Sequence, residues 1–437
     1  MSGAIKTLRS AAEVALGRQR SPQHAEGPHM VRYLRAANVK DGNLDLSDVQ
    51  SMNFTPAEQR TFSLRPGDVL VTEGSGSLKA VGASAVWQGE LEGVVCFQNT
   101  LLRLRPRHGT EGRFLEWWAR SSFGAGVFAS IASGANIYHL SAERVRALQI
   151  RLPILEEQRR ISDFLDSETA HVDRLLKARQ SQLNLLEERA YSEISEALVP
   201  GILEKPLGQW PWTWLPDLPQ DRPLARLGYV CRLQNGLTVD GARDVTHDVV
   251  TRPYLRVANV QAGRVALETV SEITVPRQMA DRSTLRPGDV LMTEGGDLDK
   301  LGRGTVWHGE LPHCLHQNHV FALRPDPQEL DGEYLAFMTQ TLHGRCYFES
   351  TGTRTTNLAS TNSSKILSFP IPLPTLEIQR SLVRKVQERI DAIQRAKAAL
   401  VTQADLLAER RQALITAAVT GQIDVTTTSR TTVRSSH

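Results

Sequence analysis

Two polar segments of the chain have side chains suited to hydrogen bonding with a ligand. The first, ASGANIYHLSAERVR, ends at Arg146, and the second, STGTRTTNLASTNSSK, spans Ser350 to Lys365. Hydroxyl, amide and basic groups of this kind bind phosphate oxygens and the edges of nucleic-acid bases. Composition alone leaves an ordinary solvated loop as an equal alternative. We predict ligand contacts from these residues: Asn136, Tyr138 and His139 in the first segment, and Arg354, Thr355 and Asn357 in the second.

Two lysines are further candidates for contact with phosphate. Lys79 and Lys300 each follow a short strand that the chain repeats, and each is expected in the loop after that strand. An ammonium group in such a loop can reach a phosphate oxygen without reading a base.

The sequence predicts no catalytic, cofactor or metal site. FGAG from Phe123 lacks the spacing of an S-adenosylmethionine loop, and GSGSLK from Gly74 lacks that of a phosphate-binding P-loop. The [DNS]-P-P-[YF] tetrapeptide that grips an extruded base is absent. The histidines and cysteine of HCLHQNH, from His313 to His319, could ligate zinc, but on a strand they would point to both faces. We prefer a structural role for that segment, with His316 or His319 as a hydrogen-bond donor.

The chain contains an internal duplication. LRPGDVL at Leu64–Leu70 returns at Leu285–Leu291, 221 residues later, and YLRAANV from Tyr33 returns as YLRVANV from Tyr254 at the same separation. Pro-Gly-Asp is typical of a turn, and the apolar residues after it are typical of a short strand. The heptapeptide is therefore predicted to be part of a scaffold that both copies share.

Two long charged segments close the copies. Residues 153–200 and 374–421 carry apolar residues at spacings of three and four, without internal Pro or Gly. This pattern predicts two helices of about 45 residues, on the order of 70 Å long, that pair as an antiparallel coiled coil. Lys397 and Arg411 occupy seam positions, where they could fix the register or contact a partner.

The predicted fold is therefore mixed α/β (α+β), duplicated, with each globular domain followed by a long helix. The globular domains are expected at residues 1–152 and 201–373, and a Pro- and Trp-rich linker opens the second of these. The helices follow each domain, and residues 422–437 are expected to be a disordered tail.

Composition excludes several classes of protein. The longest apolar runs are far too short for a membrane span, and the N-terminal residues do not resemble a secretory signal, so a cytoplasmic location is expected. The four cysteines are scattered and form no CxxC pair, which disfavours a zinc knuckle or a disulfide framework. A net charge of +3 neither requires nor excludes a nucleic-acid partner.

The order of these parts resembles a known family. Two divergent globular domains, each followed by a long helix that begins with LPxLExQR (LPILEEQR from Leu152 and LPTLEIQR from Leu373), are similar to the specificity subunit of type I restriction-modification enzymes. The resemblance covers about residues 1 to 421.

The resemblance implies a non-catalytic reader of double-stranded DNA. Each globular domain would be a target recognition domain for one half of a bipartite asymmetric site, and the helices would be a spacer. Two methyltransferase subunits would dock on the chain and methylate adenine, and restriction and translocase subunits would join them. S-adenosylmethionine, ATP and Mg would then be bound by the partners, and this chain would bind no cofactor. The alternative function is a duplicated coiled-coil adaptor that does not read DNA.

Overall fold

A computed structural model of the chain describes residues 3–204, 224–238, 247–296, 301–354 and 359–425. The described residues divide into two compact units. The first unit comprises those of Met1–Gln180 and Val401–His437, and the second comprises those of Ser181–Leu400. The predicted linker at 205–223 and most of the predicted tail lie outside the described residues. No helix in the described part of the chain is both long and apolar enough to span a membrane.

The first copy is built from short strands and mostly short helices. The strands are β1 (Ala4–Thr7), β2 (Ala12–Leu16), β3 (Met30–Leu34), β4 (Val39–Lys40), β5 (Asn43–Leu44), β6 (Gln50–Asn53), β7 (Val69–Thr72), β8 (Gly74–Ser75), β9 (Ser84–Val86), β10 (Val95–Phe97), β11 (Leu101–Pro106), β12 (Tyr138–His139) and β13 (Gln149–Leu152). The helices are α1 (Leu8–Ala11), α2 (Pro56–Phe62), α3 (Gly112–Gly124), α4 (Val127–Ile131), α5 (Ala142–Ala147) and the long α6 (Leu155–Leu198).

Within the described residues, the second copy follows a similar order, with one strand more and no counterpart of α1 among its α-helices. Its strands are β14 (Leu224–Arg226), β15 (Cys231–Asn235), β16 (Val249–Leu255), β17 (Val260–Gln261), β18 (Arg264–Val265), β19 (Ser271–Pro276), β20 (Val290–Thr293), β21 (Gly295–Gly296), β22 (Gly304–Val306), β23 (Leu315–His316), β24 (Val320–Pro325), β25 (Thr353–Arg354), β26 (Ala359–Ser360) and β27 (Pro370–Pro372). Its helices are α7 (Arg277–Ser283), α8 (Gly332–Gln340), α9 (Leu342–Thr351), α10 (Ser363–Leu367) and the long α11 (Leu376–Thr420).

The two copies have the same sheet topology. A four-stranded antiparallel sheet has the order β2-β11-β7-β9 in the first copy and β15-β24-β20-β22 in the second. A three-stranded sheet, with one parallel pair, has the orders β10-β3-β6 and β19-β16-β23. Helix α3 or α8 covers the four-stranded sheet and closes the largest core of its unit. The predicted mixed, duplicated fold is confirmed.

The repeated heptapeptide is a turn fixed by a buried ion pair. In the first copy the Asp68 carboxylate accepts the backbone N–H of Arg65 and two N–H groups of the Arg105 guanidinium, at 2.7 to 2.8 Å. Asp289 is bonded in the same way to Arg286 and Arg324, at 2.7 to 2.8 Å. The sequence is therefore repeated because both copies need a charged residue inside this turn, and its predicted scaffold role is confirmed.

The motif that opens each long helix is also structural. The Gln158 side chain is fully buried, accepts the N–H of Glu111, and donates to the carbonyl oxygens of Gly109 and Pro153 at 2.7 to 2.9 Å. Gln379 makes the matching three bonds in the second copy, to Asp331, Glu329 and Pro374. Each glutamine thus binds the start of a long helix to the globular part before it.

The long helices run antiparallel within each unit. In the second unit, Glu193 of α6 pairs with Arg389 of α11, and Glu187 pairs with Lys397, so the partner numbers rise as the α6 numbers fall. In the first unit Arg411 of α11 contacts Asp173 of α6 at 2.8 Å. Both predicted seam cations therefore have intramolecular partners, which favours the register role over contact with another protein.

The first strand of the four-stranded sheet is placed in the same way in both copies. Strand β2 pairs with β11 as β15 pairs with β24, and a glycine follows each of these strands. A Cβ on Gly17 would lie 2.2 Å from the Gln98 carbonyl oxygen, and a Cβ on Gly236 would lie 2.1 Å from that of Gln317. Close backbone approach therefore requires glycine at both positions.

Candidate nucleic-acid interface

The first polar segment is held against the end of the repeated strand. Strand β12 pairs antiparallel with β8, with Tyr138 opposite Ser75 and His139 opposite Gly74. The backbone N–H of Leu140 then donates to the Glu73 carbonyl oxygen at 2.8 Å. Residues 134–137 of the segment are exposed beyond this short ladder.

The second polar segment is held in the same way. Strand β26 pairs with β21, and β25 pairs with β26, so that a small three-stranded sheet forms at the end of β20. The N–H of Thr361 donates to the Glu294 carbonyl oxygen at 2.7 Å, as Leu140 does to Glu73. The scaffold contacts of the two segments therefore match, whereas the side chains differ: His139 and Tyr138 correspond to Ser360 and Ala359.

The structure brings the predicted residues of the first copy to one edge. Asn136 is exposed, Tyr138 is half-buried, and the His139 side chain is 54% exposed. Lys79 is exposed in the loop that follows β8, the partner strand of β12. No observation tests contact with a ligand, so these assignments stay predictions.

The predicted residues of the second copy are only partly described. Arg354 lies in β25, where its backbone pairs with Ala359, and its side chain is outside the described set. Thr355, Asn357 and Lys300 lie outside the described residues. The described strands β25 and β26 lie at the edge equivalent to the first polar segment.

Sequence reasoning missed the acidic residue that orients a histidine in each copy. His139 Nδ1 lies 3.2 Å from both carboxylate oxygens of Glu73, and His319 Nδ1 lies 2.5 Å from Glu294. Both histidines remain about half exposed. The identical TEG tripeptide was the available signal, because its central glutamate is repeated at the same separation of 221 residues.

The suggestion that His316 could donate to a ligand is wrong. Its side chain is fully buried, and its Nδ1 lies 2.7 Å from the Val320 carbonyl oxygen. Burial lowers its pKa, which favours the neutral ring. In the described part of the chain, no group of three or more His, Cys, Asp or Glu side chains could hold a metal ion.

The cysteine thiols have no environment that would activate them. Burial raises the pKa of Cys96, Cys231 and Cys314 to about 12, whereas a reactive thiol needs a lowered pKa. These residues pack in the protein as buried thiols.

Comparison with known proteins agrees with the resemblance that the sequence predicts. No protein-family model matches the chain. The type I restriction enzyme EcoKI specificity subunit of Escherichia coli (strain K12) is 25% identical over 371 residues, which cover 81% of this chain and 74% of the relative. The StySPI specificity subunit of Salmonella potsdam is 25% identical over 369 residues, with the same coverage.

A solved structure has the same fold along nearly the whole chain. It comes from a study of the complex assembly and conformational transition of the type I R-M system, and its chain is 20% identical to this one. The superposition covers 97% of this chain and 99% of that chain, with a TM-score of 0.70. The predicted resemblance is thus confirmed: this chain is related in sequence to the specificity subunits of type I restriction enzymes and shares its fold with a chain of a type I R-M system.

Proposed function

We propose that this chain is the DNA-specificity subunit of a type I restriction-modification complex, with each copy reading one half of a bipartite asymmetric site. The main support is that the two copies share their scaffold contacts and differ in the side chains placed on them at the ends of β7 and β20. A shared scaffold gives both readers the same docking geometry, and different side chains make the two half-sites differ. The curated relatives are specificity subunits, which supports the same function.

Few contacts are needed for this discrimination. A good bidentate contact between a side chain and a base edge contributes roughly 1 to 3 kcal/mol, so two or three in each copy are sufficient. Asn136 and His139 supply such groups in the first copy, and Arg354, Thr355 and Asn357 supply them in the second. The half-exposed ring of His139, oriented by Glu73, is a preformed donor or acceptor.

Catalysis would be carried out by partner subunits. Two methyltransferase subunits would bind the chain and carry S-adenosylmethionine, and restriction and translocase subunits would supply ATP- and Mg-dependent cleavage. This chain would be a non-catalytic subunit without a cofactor of its own, in the cytoplasm, where the DNA is accessible.

Methylation mapping tests the proposal directly. The chain is coexpressed with the methyltransferase encoded beside it, and modified adenines are located by long-read sequencing of the host DNA. One variant combines Asn136→Ala with His139→Ala, and a matched control combines Asn43→Ala with His108→Ala, two exposed residues of the same unit that do not belong to the polar segment. We expect the first variant to lose or relax one half of the methylated motif and the control to keep both halves.

A second-copy variant completes the test. Combining Arg354→Ala, Thr355→Ala and Asn357→Ala should relax only the other half-site. If the wild-type chain and its methyltransferase are both expressed and no bipartite motif appears, the adaptor function is favoured. A motif that both variants leave unchanged would refute these residue assignments.

A further inference from the structure

A cleft of about 370 Å³ in the second unit is lined by three arginines. It lies among the repeated turn, the end of β24, the start of α8 and the start of α11, and Arg286, Arg324 and Arg380 line it together with Asp289 and Asp331. Several prolines complete its walls. The cleft therefore combines cationic guanidinium groups with a rigid, partly apolar surface.

The arginines exceed the carboxylates that could neutralise them. Arg324 forms a bidentate pair with Asp289, and Arg380 lies 3.6 Å from Asp331. The Arg286 side chain is exposed and makes no ion pair with a described residue. Two carboxylates for three guanidinium groups leave one positive charge in excess, which is the complement of one further carboxylate.

The first copy has the same three arginines. Arg65, Arg105 and Arg159 correspond in sequence to Arg286, Arg324 and Arg380. The contacts that bring them together are also repeated: the Asp68–Arg105 pair fixes the turn, and Gln158 ties the start of α6 to the N–H of Glu111 at the start of α3. A Cβ on Gly112 would lie 2.8 Å from the Gly67 carbonyl oxygen, so the turn also packs on the start of α3.

The stability of the fold does not explain why all three arginines are identical in the two copies. Arg65 and Arg159 are exposed, and neither makes a side-chain ion pair with a described residue. A partner that binds once to each copy would require the same exposed groups twice, as these arginines provide. The DNA-reading segments, by contrast, differ between the copies.

The cleft is also separated from the reading edge. The turn lies at the start of β7 or β20, and the polar segments dock at the end of the same strand, which has four residues. At about 3.3 Å per residue, roughly 13 Å separates the two sites along the strand. Because Asp289 and Asp331 already pair with two of the three arginines, the one excess positive charge matches a single protein carboxylate better than a run of DNA phosphates.

We propose that this cleft, and the matching arginines of the first copy, each bind an acidic segment of a methyltransferase subunit, with one subunit for each copy. This inference rests on the proposed function and assigns the surface by which the partner is held. Planar guanidinium groups can grip the partner's carboxylate in a bidentate manner, which a lysine could not do.

Charge reversal of one cleft tests the assignment. The double variant Arg286→Glu with Arg380→Glu changes the exposed arginines and keeps the Asp289–Arg324 pair. The matched control is Arg264→Glu with Arg282→Glu, two exposed arginines of the same unit outside the cleft. Native mass spectrometry counts the methyltransferase subunits on the full chain, and titration gives their affinities.

We expect the wild-type chain and the control to bind two subunits. The double variant Arg286→Glu with Arg380→Glu should keep one subunit and bind the subunit of the second copy at least about thirty-fold more weakly. The double variant Arg65→Glu with Arg159→Glu should lose the subunit of the first copy instead. Two milder double variants keep the test valid if charge reversal lowers the unfolding temperature. Arg286→Lys with Arg380→Lys should weaken binding less than charge reversal does, and Arg286→Gln with Arg380→Gln should weaken it to a comparable extent.

Distinct results would overturn the inference. Two subunits bound with unchanged affinity by a folded charge-reversal variant would exclude the cleft as the docking surface. Unchanged subunit binding with weaker DNA binding and a shallower salt dependence would assign the cleft to phosphate. If the wild-type chain binds no methyltransferase at all, the partner part of the proposed function fails, and this inference fails with it.

Discussion

Asp289→Asn removes the buried charge of the repeated turn with little change in side-chain size. The wild-type carboxylate is 1% exposed and accepts three hydrogen bonds: the backbone N–H of Arg286 and two from the Arg324 guanidinium. The bonds to Asp289 also raise the pKa of Arg324, since they stabilise its charged form. An asparagine has a single oxygen acceptor, so its NH2 group must face one of these donors.

The expected loss in the free energy of unfolding depends on how exposed Arg324 is. Breaking a buried ion pair by removing one member typically costs about 3 to 5 kcal/mol. The Arg324 side chain is 29% exposed and can recover part of its hydration, so we expect about 2 to 3 kcal/mol. Arg105 is only 16% exposed, and Asp68→Asn should therefore cost at least as much in the first copy.

Urea unfolding of the full chain, followed by circular dichroism, measures the free energy of unfolding. A loss of 2 to 3 kcal/mol corresponds to a fall of about 5 to 10 °C in the unfolding temperature for a unit of this size. Hydrogen exchange assigns the effect, because Asp289→Asn should expose amides of β20 and β24, whereas Asp68→Asn should expose those of β7 and β11.

A double-mutant cycle decides whether the ion pair is the cause. The combination of Asp289→Asn with Arg324→Met should cost about 1 to 3 kcal/mol less than the sum of the single changes. A loss below about 0.5 kcal/mol for Asp289→Asn, or simple additivity in the cycle, would refute this account of the heptapeptide.

Three further changes probe the scaffold. Desolvation raises the pKa of buried Glu116 from 4.5 to about 7, so the folded chain retains a proton that the unfolded chain releases, and stability falls as the pH rises through that range. Glu116→Gln should remove this dependence and stabilise the chain by up to about 3 kcal/mol at pH 8 but not at pH 4. The measurement is the free energy of unfolding between pH 4 and pH 8, and the same pH dependence in both proteins would contradict the prediction. Gln379→Leu should cost about 3 kcal/mol in urea unfolding and increase hydrogen exchange in the first turn of α11, because three backbone partners lose their bonds. Gly236→Ala should cost roughly 1 to 3 kcal/mol by overlap with the Gln317 carbonyl oxygen, whereas Gly76→Ala, which meets no atom within 4 Å, should have little effect on the unfolding temperature.

Much of the fold could be predicted because the chain contains an internal duplication, which allows one copy to be compared with the other. Matching peptides at a separation of 221 residues indicate two similar domains, and the spacing of apolar residues predicts both long helices. The Pro-Gly-Asp turn and the strand after it were also predictable, since those residues restrict the local backbone. These features depend on short stretches of sequence.

Other features depend on residues that are distant in the chain. His316 resembled a ligand-facing residue in the sequence, but it is buried because β23 pairs in parallel with β16. Lys397 and Arg411 could have faced a partner, and only the pairing of α6 with α11 gives them Glu187 and Asp173. Local patterns could not determine these pairings.

The sequence by itself determined the duplication, the long helices and the polar character of the two variable segments, because repeats, periodicity and composition are local properties. Tertiary structure alone decided that those segments lie at one end of β7 and β20 and that the shared arginines lie at the other end. The physical reason is that strand pairing and the buried bonds of Asp289 and Gln379 join positions far apart in the chain. Which exposed residues share a surface is therefore set by the packed core.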